Sequence, residues 1–493
     1  MGTCPAIPAL LAAVLAGPTL CASDNVSDSI YLGFVARTLC EGKFVSGRTV
    51  ASVWAAEGCA FTSACETHAR FSVPGIENTP GSKPGSVNVA ASAGMGSVTA
   101  SEAAASATAT FVSDKFGCQL RVAGQQVPPV VPRYVDDGHA AADPADWPMA
   151  LNGSAGAFPG VDYARLDAAV RPQFEDAQTI ADARTRAIVV IHRGKLVLEH
   201  YSSAERLTAS TRLLSWSLAK SLTNAMLGMR VRDGALALSQ LASAPGWGVA
   251  EVQGRGITVE HLMRMTSGIE WSEAWDDSSQ TPQMLFATRD SAAFVGSFPQ
   301  AQAPGMHWQY TSGGYQLLQH MLRQSFGGDD AAYWSYPHTR LAKAIGVRSF
   351  AFQADGAGTL MGSSHFMATA RDFARFGQLY LQDGVWEGKR LLPQGWVRFS
   401  TTPTPAFPQY GAGWWLDQFP GVTPPDTYTG KGFLGQYIVV VPSRSLVIVR
   451  LGDTSLGSPA DTPDNWSRLF GSIIAAFPAA AAPAPAPWLN FSR

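Results

Sequence analysis

The segment SWSLAKS, residues 215–221, places Ser217 three positions before Lys220 and contains the one Ser-x-x-Lys pair of the sequence. Three residues are close to one helical turn, so on a helix that begins at Ser217 both side chains lie on one face. A lysine accepts a proton only when burial or a nearby cation lowers its pKa well below about 10.4. No acidic residue within four positions of Lys220 holds it charged. The pair therefore has the residue types of a nucleophile and its base, and a capped amphipathic helix is the alternative.

Tyr310 and Ser312 follow a Pro-Gly turn and precede an apolar run in PGMHWQYTSGGYQLLQHML, residues 304–322. A tyrosine at the junction of a loop and a helix is placed to project into a cleft, where its hydroxyl relays a proton to a leaving group. The alternative is a core tyrosine that makes one hydrogen bond.

Three glycines, Gly430, Gly432 and Gly435, lie in TGKGFLGQYIVVVP, residues 429–442. The β-branched end of this segment predicts a strand, and glycine lets a strand backbone approach a ligand closely. A free backbone N–H at this position is suited to bind a developing oxyanion. A bulge or a tight turn is the alternative.

Other chemistries lack support in the sequence. It carries no Gly-x-Ser-x-Gly, His-Glu-x-x-His or helix-opening Gly-x-Gly-x-x-Gly motif, and its nine histidines lack ligand spacing. It therefore predicts neither a metal site nor a dinucleotide cofactor. The net charge is −2, without a long basic or acidic run, so we expect no nucleic-acid partner.

Residues 6–17, AIPALLAAVLAG, form an apolar stretch too short to span a bilayer, and Ala22 follows as a small residue suited to cleavage. The pattern predicts a signal peptide over residues 1–22, no membrane span and a secreted or periplasmic protein. The segment before the apolar stretch lacks Lys and Arg, and a buried helix is the alternative.

Four cysteines follow this segment: Cys40, Cys59, Cys65 and Cys118. An even number in an exported chain predicts two disulfides, although four cysteines allow three pairings. Reduced thiols in a core are the alternative.

The chain of 493 residues is too long for one core, which rarely exceeds about 250 to 300 residues, so two or three folding units are expected. We expect an N-terminal extension at 23–130 with a weak hairpin at 86–101. A Pro- and Asp-rich linker at 131–160 and a low-complexity tail at 476–493 enclose a main domain at 161–475.

Within the main domain, residues 187–201 read as a hairpin about a tight turn at Arg193-Gly194. Helical patterns dominate from Ser217 to about residue 400, and three β-rich stretches follow. The hairpin and the later strands are expected to complete a single sheet, with the helical part inserted between them.

Five segments, in order, resemble the serine β-lactamase and penicillin-binding superfamily, in particular its class C β-lactamase-like carboxylesterases and 6-aminohexanoate-dimer hydrolases. The resemblance covers roughly residues 160–475. It implies an α/β (α+β) fold in which a five-stranded antiparallel sheet is flanked by helices and carries an inserted all-helical domain. It also implies a small N-terminal extension that bears a disulfide. The segments are SWSLAKS, ITVEHLMRMTSGIEW, PGMHWQYTS, ATARDFARFGQLYLQDGVWEGKRLLPQGWV and GFLGQYIVVVPSRSLVIVRLG.

The resemblance also implies roles for individual residues. Ser217 would be acylated, Lys220 would take its proton, and Tyr310 would assist and protonate the leaving group. The backbone N–H groups of Ser217 and Phe433 would form the oxyanion hole. Candidate substrate contacts are Ser312, Gly432, Gln436 and, in the loop 270–283, Trp271 and Trp275, for which packing in a core is the alternative.

Two positions depart from the family pattern. Ser312 stands where many relatives carry Asn, and Gly430 replaces the lysine that β-lactamases and peptidases use near a substrate carboxylate. Lys431 is one place further along, and because successive strand residues point to opposite faces, we expect its ammonium to point away from the cleft. These departures argue for a different substrate.

The segments LCEGKFVSGR and KFGCQL resemble an extension found ahead of this domain in some exported members. That resemblance implies a bridge from Cys40 to Cys118 and leaves Cys59 with Cys65.

The resulting expectation is a serine hydrolase that cleaves a small ester or linear amide through an acyl-enzyme, without a cofactor or a metal. The alternatives are a non-catalytic or slowly deacylating penicillin-binding-type sensor, and a β-lactamase or D-amino peptidase.

Overall fold

The computed structural model describes residues 28–49, 52–53, 71–72, 87–92, 96–102, 105–122, 129–135, 158–275, 279–455 and 458–479. The predicted signal peptide, Cys59, Cys65 and most of the predicted linker and tail lie outside the described residues.

The N-terminal module packs a helix against a five-stranded sheet. Helix α1 spans Asp28–Cys40 and continues as a short π-helix over Glu41–Val45. Antiparallel pairing of β2 (Val87–Ser92) with β3 (Ser97–Glu102) confirms the hairpin predicted at 86–101. The other strands are β1 (Phe71–Ser72), β4 (Ala105–Ser113) and β5 (Gly117–Val122).

A disulfide joins Cys40 at the end of α1 to Cys118 on β5, which confirms the first predicted pair. The module also packs on the rest of the protein. Arg37 donates a hydrogen bond to the carbonyl oxygen of Leu285 at 3.0 Å, and the ring of Phe34 meets that of Phe286 edge-on, with 5.6 Å between centroids.

A β-hairpin begins the main sheet. Three helices precede it: α2 (Tyr163–Val170), α3 (Pro172–Glu175) and α4 (Ala177–Ala183). Strands β6 (Thr185–His192) and β7 (Lys195–Tyr201) are joined through Arg193 and Gly194, whose φ angles are 48° and 73°. Positive φ at both central residues gives the turn type whose twist matches that of the strands, which confirms the predicted hairpin.

The helical region follows, and its elements surround the helix that begins after Ser217. Three of its strands, β8 (Leu213–Leu214), β9 (Ala351–Phe352) and β10 (Phe366–Ala368), form a small sheet in the order β8-β10-β9. The elements are β8 (Leu213–Leu214), α5 (Ala219–Arg232), α6 (Val249–Arg255), α7 (Val259–Met263), α8 (Gln280–Phe286), α9 (Ser291–Gly296), α10 (Ser312–Gln324), α11 (Asp330–Tyr336), β9 (Ala351–Phe352), β10 (Phe366–Ala368), α12 (Ala370–Leu381), β11 (Val385–Trp386), β12 (Lys389–Arg390) and α13 (Trp396–Ser400).

The strands after the helical region complete the main sheet. Strands β13 (Trp415–Leu416), β14 (Tyr428–Gly432), β15 (Gln436–Val441) and β16 (Leu446–Gly452) give the order β13-β14-β15-β16-β6-β7, with every neighbouring pair antiparallel. The chain ends its regular structure with helix α14 (Pro463–Ala475). The insertion of the helical part within one sheet is as the sequence predicts.

Both faces of this sheet are covered. Val447 and Val449 of β16 lie in the core beneath α12, whereas Leu446 and Ile448 lie in a second core with α2 and α14. Alternate residues of one strand face opposite sides of the sheet, so β16 is buried on both.

The fold class expected from the sequence is confirmed, with one more strand than predicted. The β-rich stretch at 427–442 forms two antiparallel strands, β14 and β15, joined through Phe433–Gly435, and this division supplies the additional strand. Among the described residues, no helix has the length and hydropathy needed to cross a membrane.

Peptide mapping without reduction is expected to recover Cys40 linked to Cys118 and Cys59 linked to Cys65. Removal of a native disulfide from a small secreted domain typically costs about 2 to 5 kcal/mol, and Cys40 is fully buried. We therefore expect Cys40→Ala to lower the melting temperature more than it lowers turnover. Free thiols at all four positions in protein from an oxidising compartment would contradict the prediction.

Candidate active site

Ser217 lies in a tight turn between β8 and α5. Trp216–Leu218 form one turn of 3-10 helix that leads directly into α5, and the Ser217 side chain is partly exposed. Trp216 has a φ of 45°, a left-handed conformation that is costly for a bulky residue. Its ring is held edge-on against the rings of His365 and Phe433, at 5.7 and 5.3 Å between centroids. The packing thus over-determines the turn that presents Ser217.

Lys220 lies beneath Ser217 on the first turn of α5 and is 1% exposed. Its Nζ is 2.9 Å from Ser217 Oγ, 3.0 Å from Ser312 Oγ and 2.9 Å from the carbonyl oxygen of Ser363. An ammonium donates to all three partners. A neutral amine donates to Ser312 and Ser363 and keeps its lone pair for the Ser217 hydroxyl, so the same geometry satisfies the base form of the lysine.

Burial lowers the pKa of Lys220 to about 8, because the surrounding protein disfavours the charged form, and the charge of Glu273 acts in the opposite direction. No carboxylate in the described part of the chain forms an ion pair with Lys220. With this pKa about a tenth of the lysines are neutral at pH 7 and half at pH 8, and the neutral form is able to accept a proton from a serine.

Tyr310 faces the same point from the loop before α10. Lys220 Nζ is 4.9 Å from the centroid of its ring, and the indole of Trp415 stacks on that ring at 5.5 Å between centroids. Burial raises the pKa of the Tyr310 phenol well above its usual value, Glu273 raises it further, and the interaction with Ser217 opposes them. Tyr310 therefore remains protonated at neutral pH and is chemically suited to donate a proton.

Ser312 is the first residue of α10, and its hydroxyl accepts a hydrogen bond from Lys220. The backbone N–H of Ser312 donates to the carboxylate of Glu273. The contact with lysine is thus made although serine is shorter than asparagine.

The segment after β14 approaches the Ser217 turn closely. A Cβ added to Gly432 would lie 2.4 Å from the carbonyl oxygen of Ser215, so only glycine fits there. Phe433 follows directly, and its ring contacts Trp216. Gln436 is buried, and its amide donates to the carbonyl oxygens of Phe433 at 2.9 Å and Gly452 at 2.8 Å. Gln436 therefore shapes this turn instead of facing a substrate, contrary to the expectation for it.

The register of β14 places Lys431 on the face opposite to Gly430, and its Nζ lies 5.9 Å from the centroid of the Trp415 ring that stacks on Tyr310. Gly430 pairs with Ile438 and faces α5, where an added Cβ would lie 3.1 Å from both Leu218 and Ser221. Lys431 pairs with Tyr437 on the opposite face, 5.9 Å from the centroid of its ring.

The two tryptophans of the loop 270–283 have different environments. Trp271 is 3% exposed, donates to Thr281 Oγ1 at 3.0 Å and packs on Phe298, so it is a core residue and not a substrate contact. Trp275 is half-buried and stacks on Phe433 at 4.6 Å between centroids. Of the two tryptophans, Trp275 thus remains the candidate for a substrate contact.

Three groups of the site were not singled out from the sequence. These are the Ser363 carbonyl, the Glu273 carboxylate and the Trp415 ring. Each reaches Lys220, Ser312 or Tyr310 through a contact distant in the sequence, and only the Ser-x-x-Lys spacing is local. Within the described residues, no group of three or more His, Cys, Asp or Glu side chains is placed to hold a metal.

Comparison with known proteins agrees with this architecture. A family model described as Beta-lactamase matches residues 170–471, which is more than half of the chain. The 6-aminohexanoate-dimer hydrolase of Paenarthrobacter ureafaciens is 26% identical over 346 residues, covering 64% of this chain and 84% of that protein.

Two solved structures share the fold. A putative 6-aminohexanoate-dimer hydrolase from Bacillus anthracis has a TM-score of 0.51 and 22% identity, covering 60% of this chain and 80% of its own. A putative beta-lactamase from Bacteroides dorei has a TM-score of 0.51 and 16% identity, and the match covers 64% of this chain and 99% of that one. The fold and the family match define the class of the protein as a serine hydrolase. The chain belongs to the beta-lactamase family.

A fluorophosphonate probe is expected to add once per chain, at Ser217, with a rate that rises with pH through about 8 as Lys220 becomes neutral. The adduct is mapped by peptide mass spectrometry. Ser217→Ala is the control and is expected to remain unlabelled, with Ser221→Ala, one turn further along the same helix, labelled like the wild type. Labelling at another residue would contradict the assignment of the nucleophile.

Lys431→Ala is expected to leave ester turnover within a few-fold of the wild type, because the side chain lies on the far face of β14. Lys220→Ala is expected to lower kcat/KM by about 10²- to 10⁴-fold, the usual contribution of a general base. Steady-state kinetics on a nitrophenyl ester compares the two. An equal loss of kcat/KM in the two variants would mean that Lys431 acts in the cleft.

Proposed function

We propose that the protein hydrolyses esters or linear amides through an acyl-enzyme on Ser217, with Lys220 and Tyr310 as the acid–base pair. The observation that carries the proposal is Lys220: it is buried, lies 2.9 Å from Ser217 Oγ and has its pKa lowered to about 8. A lysine kept only for stability would be expected to pair with a carboxylate.

Acylation begins when Ser217 Oγ attacks the substrate carbonyl carbon and its proton passes to Lys220 Nζ. The carbonyl oxygen becomes an oxyanion, for which the N–H groups of Ser217 and Phe433 are the proposed donors. The tetrahedral intermediate then collapses, and the bond to the leaving alcohol or amine breaks. Tyr310 gives its proton to the leaving group and regains one from Lys220.

Deacylation runs through the same groups. A water molecule attacks the acyl carbonyl while the neutral Lys220–Tyr310 pair takes its proton. The bond to Ser217 Oγ then breaks, the hydroxyl regains a proton, and the carboxylic acid leaves. The two pKa shifts, down for the lysine and up for the tyrosine, suit a base and a proton donor respectively.

The surroundings of Gly430 and Lys431 support a neutral substrate. Gly430 supplies no side chain, and Leu218 and Ser221 occupy the space in front of it. Partly exposed aromatic rings of Trp275, Phe433 and Trp415 lie near the Ser217 turn and Tyr310. Among the described residues these rings give the Ser217 turn an apolar surrounding, and Gly430 supplies no cation for a substrate carboxylate.

The name of the relative from Paenarthrobacter ureafaciens adds support for linear amides, because a 6-aminohexanoate dimer is joined by one. Esters and linear amides therefore rank first among the substrates, and β-lactams rank last.

Neutral short-chain esters or linear amides are expected to be cleaved with a kcat/KM at least about tenfold above that of benzylpenicillin or a cephalosporin. Tenfold corresponds to about 1.4 kcal/mol of transition-state binding, less than the ~1.5 to 3 kcal/mol of a charge-assisted hydrogen bond to the β-lactam carboxylate. A panel of nitrophenyl esters, aminohexanoate oligomers and β-lactams, assayed on the mature protein, measures this ratio. Preference for benzylpenicillin would contradict the proposal.

The same ester assay distinguishes an enzyme from an acylated sensor. A hydrolase releases nitrophenolate continuously, whereas a sensor that acylates without turnover stops at one equivalent per chain. A single equivalent, with Ser217 found acylated by mass spectrometry, would favour the sensor.

A further inference from the structure

Glu273 lies behind the proposed catalytic groups, in the loop between α7 and α8. One carboxylate oxygen accepts a hydrogen bond from the backbone N–H of Ser312. The other accepts from the hydroxyl of Thr281 at 2.7 Å. Both oxygens are therefore fixed, and one of them is tied to the residue that contacts Lys220 directly.

Thr281 is itself held in place from the helical core. Its Oγ1 accepts from the indole N–H of Trp271 at 3.0 Å and lies 3.2 Å from the carbonyl oxygen of Ser272. Trp271 is buried against Phe294 and Phe298. A chain of contacts thus leads from the packed core through Thr281, Glu273 and Ser312 to Lys220.

We propose that Glu273 is a positioning residue of the site, whose carboxylate fixes Ser312 against Lys220 and, through Ser312, holds a negative charge within electrostatic range of the lysine. The proposal rests on the proposed function of Lys220 as the base.

The charge has a consequence for the reaction. Ser217, Ser312, the Ser363 carbonyl and the rings of Tyr310 and Tyr315 surround Lys220, and both tyrosines are held neutral by burial. Among the described residues, Glu273 is the charged group that acts on the lysine, and it raises the pKa of Lys220 against the effect of burial. Without that charge the lysine is a weaker base that becomes neutral at lower pH.

The sign of the pH effect follows. Because kcat/KM reports the free enzyme, its acid limb is set by the pKa of Lys220. Loss of the Glu273 charge lowers this pKa, so the acid limb moves to lower pH. The plateau also falls, since the lysine ammonium formed during acylation loses a stabilising charge.

Glu273→Gln tests this, because glutamine keeps the hydrogen bonds and removes only the charge. Its amide oxygen accepts from Ser312, and its amide N–H donates to Thr281, whose hydroxyl then donates to Ser272. Glu270→Gln is the matched control: it removes the same charge from the same loop, but its side chain is exposed. The readouts are the pH profiles of kcat/KM on a nitrophenyl ester and of the fluorophosphonate labelling rate.

We expect the acid limb of both profiles to move to lower pH in Glu273→Gln and to stay in place in Glu270→Gln. An unmoved or raised limb in Glu273→Gln, or an equal shift in both variants, would overturn the proposal. So would loss of labelling at every pH, since Glu273 would then take part in proton transfer directly.

A second pair of variants guards against misfolding. If Glu273→Gln lacks the native thermal transition, Glu273→Asp and Glu273→Asn are compared, because those two differ from each other only in charge. The acid limb of Glu273→Asn is expected to lie at lower pH than that of Glu273→Asp. Ser217→Ala separates the two proposals. If this variant remains active, the proposed function fails. If it is inactive but the acid limbs of the Glu273 variants do not move, only the role of Glu273 is refuted.

Discussion

Burial of a lysine beside a serine is the constraint on which the rest of this structure depends. A buried amine is tolerated only if its hydrogen bonds are met, and Lys220 has three partners that serve both of its protonation states. Those partners come from the turn before α5, from α10 and from the segment before β10, so the site needs three parts of the chain to meet. The inserted helical region supplies all three and closes the space over α5.

The helix that carries Lys220 is correspondingly immobile. Every residue of α5 from Ala219 to Met229 is buried. Asn224, one turn after Lys220, donates to the Ala412 carbonyl oxygen at 2.7 Å and accepts from the indole N–H of Trp396 at 2.8 Å. An added Cβ on Gly228 would lie 2.6 Å from Trp396. A helix buried over its first eleven residues holds Lys220 against the turn that carries Ser217.

The sequence predicts those parts of the fold that have local patterns. The hairpin at Arg193-Gly194, the single sheet around a helical insertion and the Ser-x-x-Lys spacing all depend on residues close together in the chain. The direction of Lys431 follows from strand alternation alone. In contrast, Trp271 and Trp275 are the same residue type four positions apart, and only the packing of α8 and α9 makes one a core residue. The bond from Gln436 to Gly452 and the bond from Ser312 to Glu273 join different elements, which no periodicity reveals.

The N-terminal module is part of this packing. Phe34 contacts Phe286, Phe286 contacts His365, and His365 contacts Trp216, each edge-on at 5.6 to 5.7 Å between centroids. An added Cβ on Gly33 would lie 2.2 Å from the Phe286 carbonyl oxygen, so α1 sits directly on α8. The buried side chains of the module belong to the same continuous hydrophobic core as those around α5. Since Trp216 holds a strained backbone next to Ser217, the rings behind it oppose relaxation of that turn, and the module supports the site from a distance.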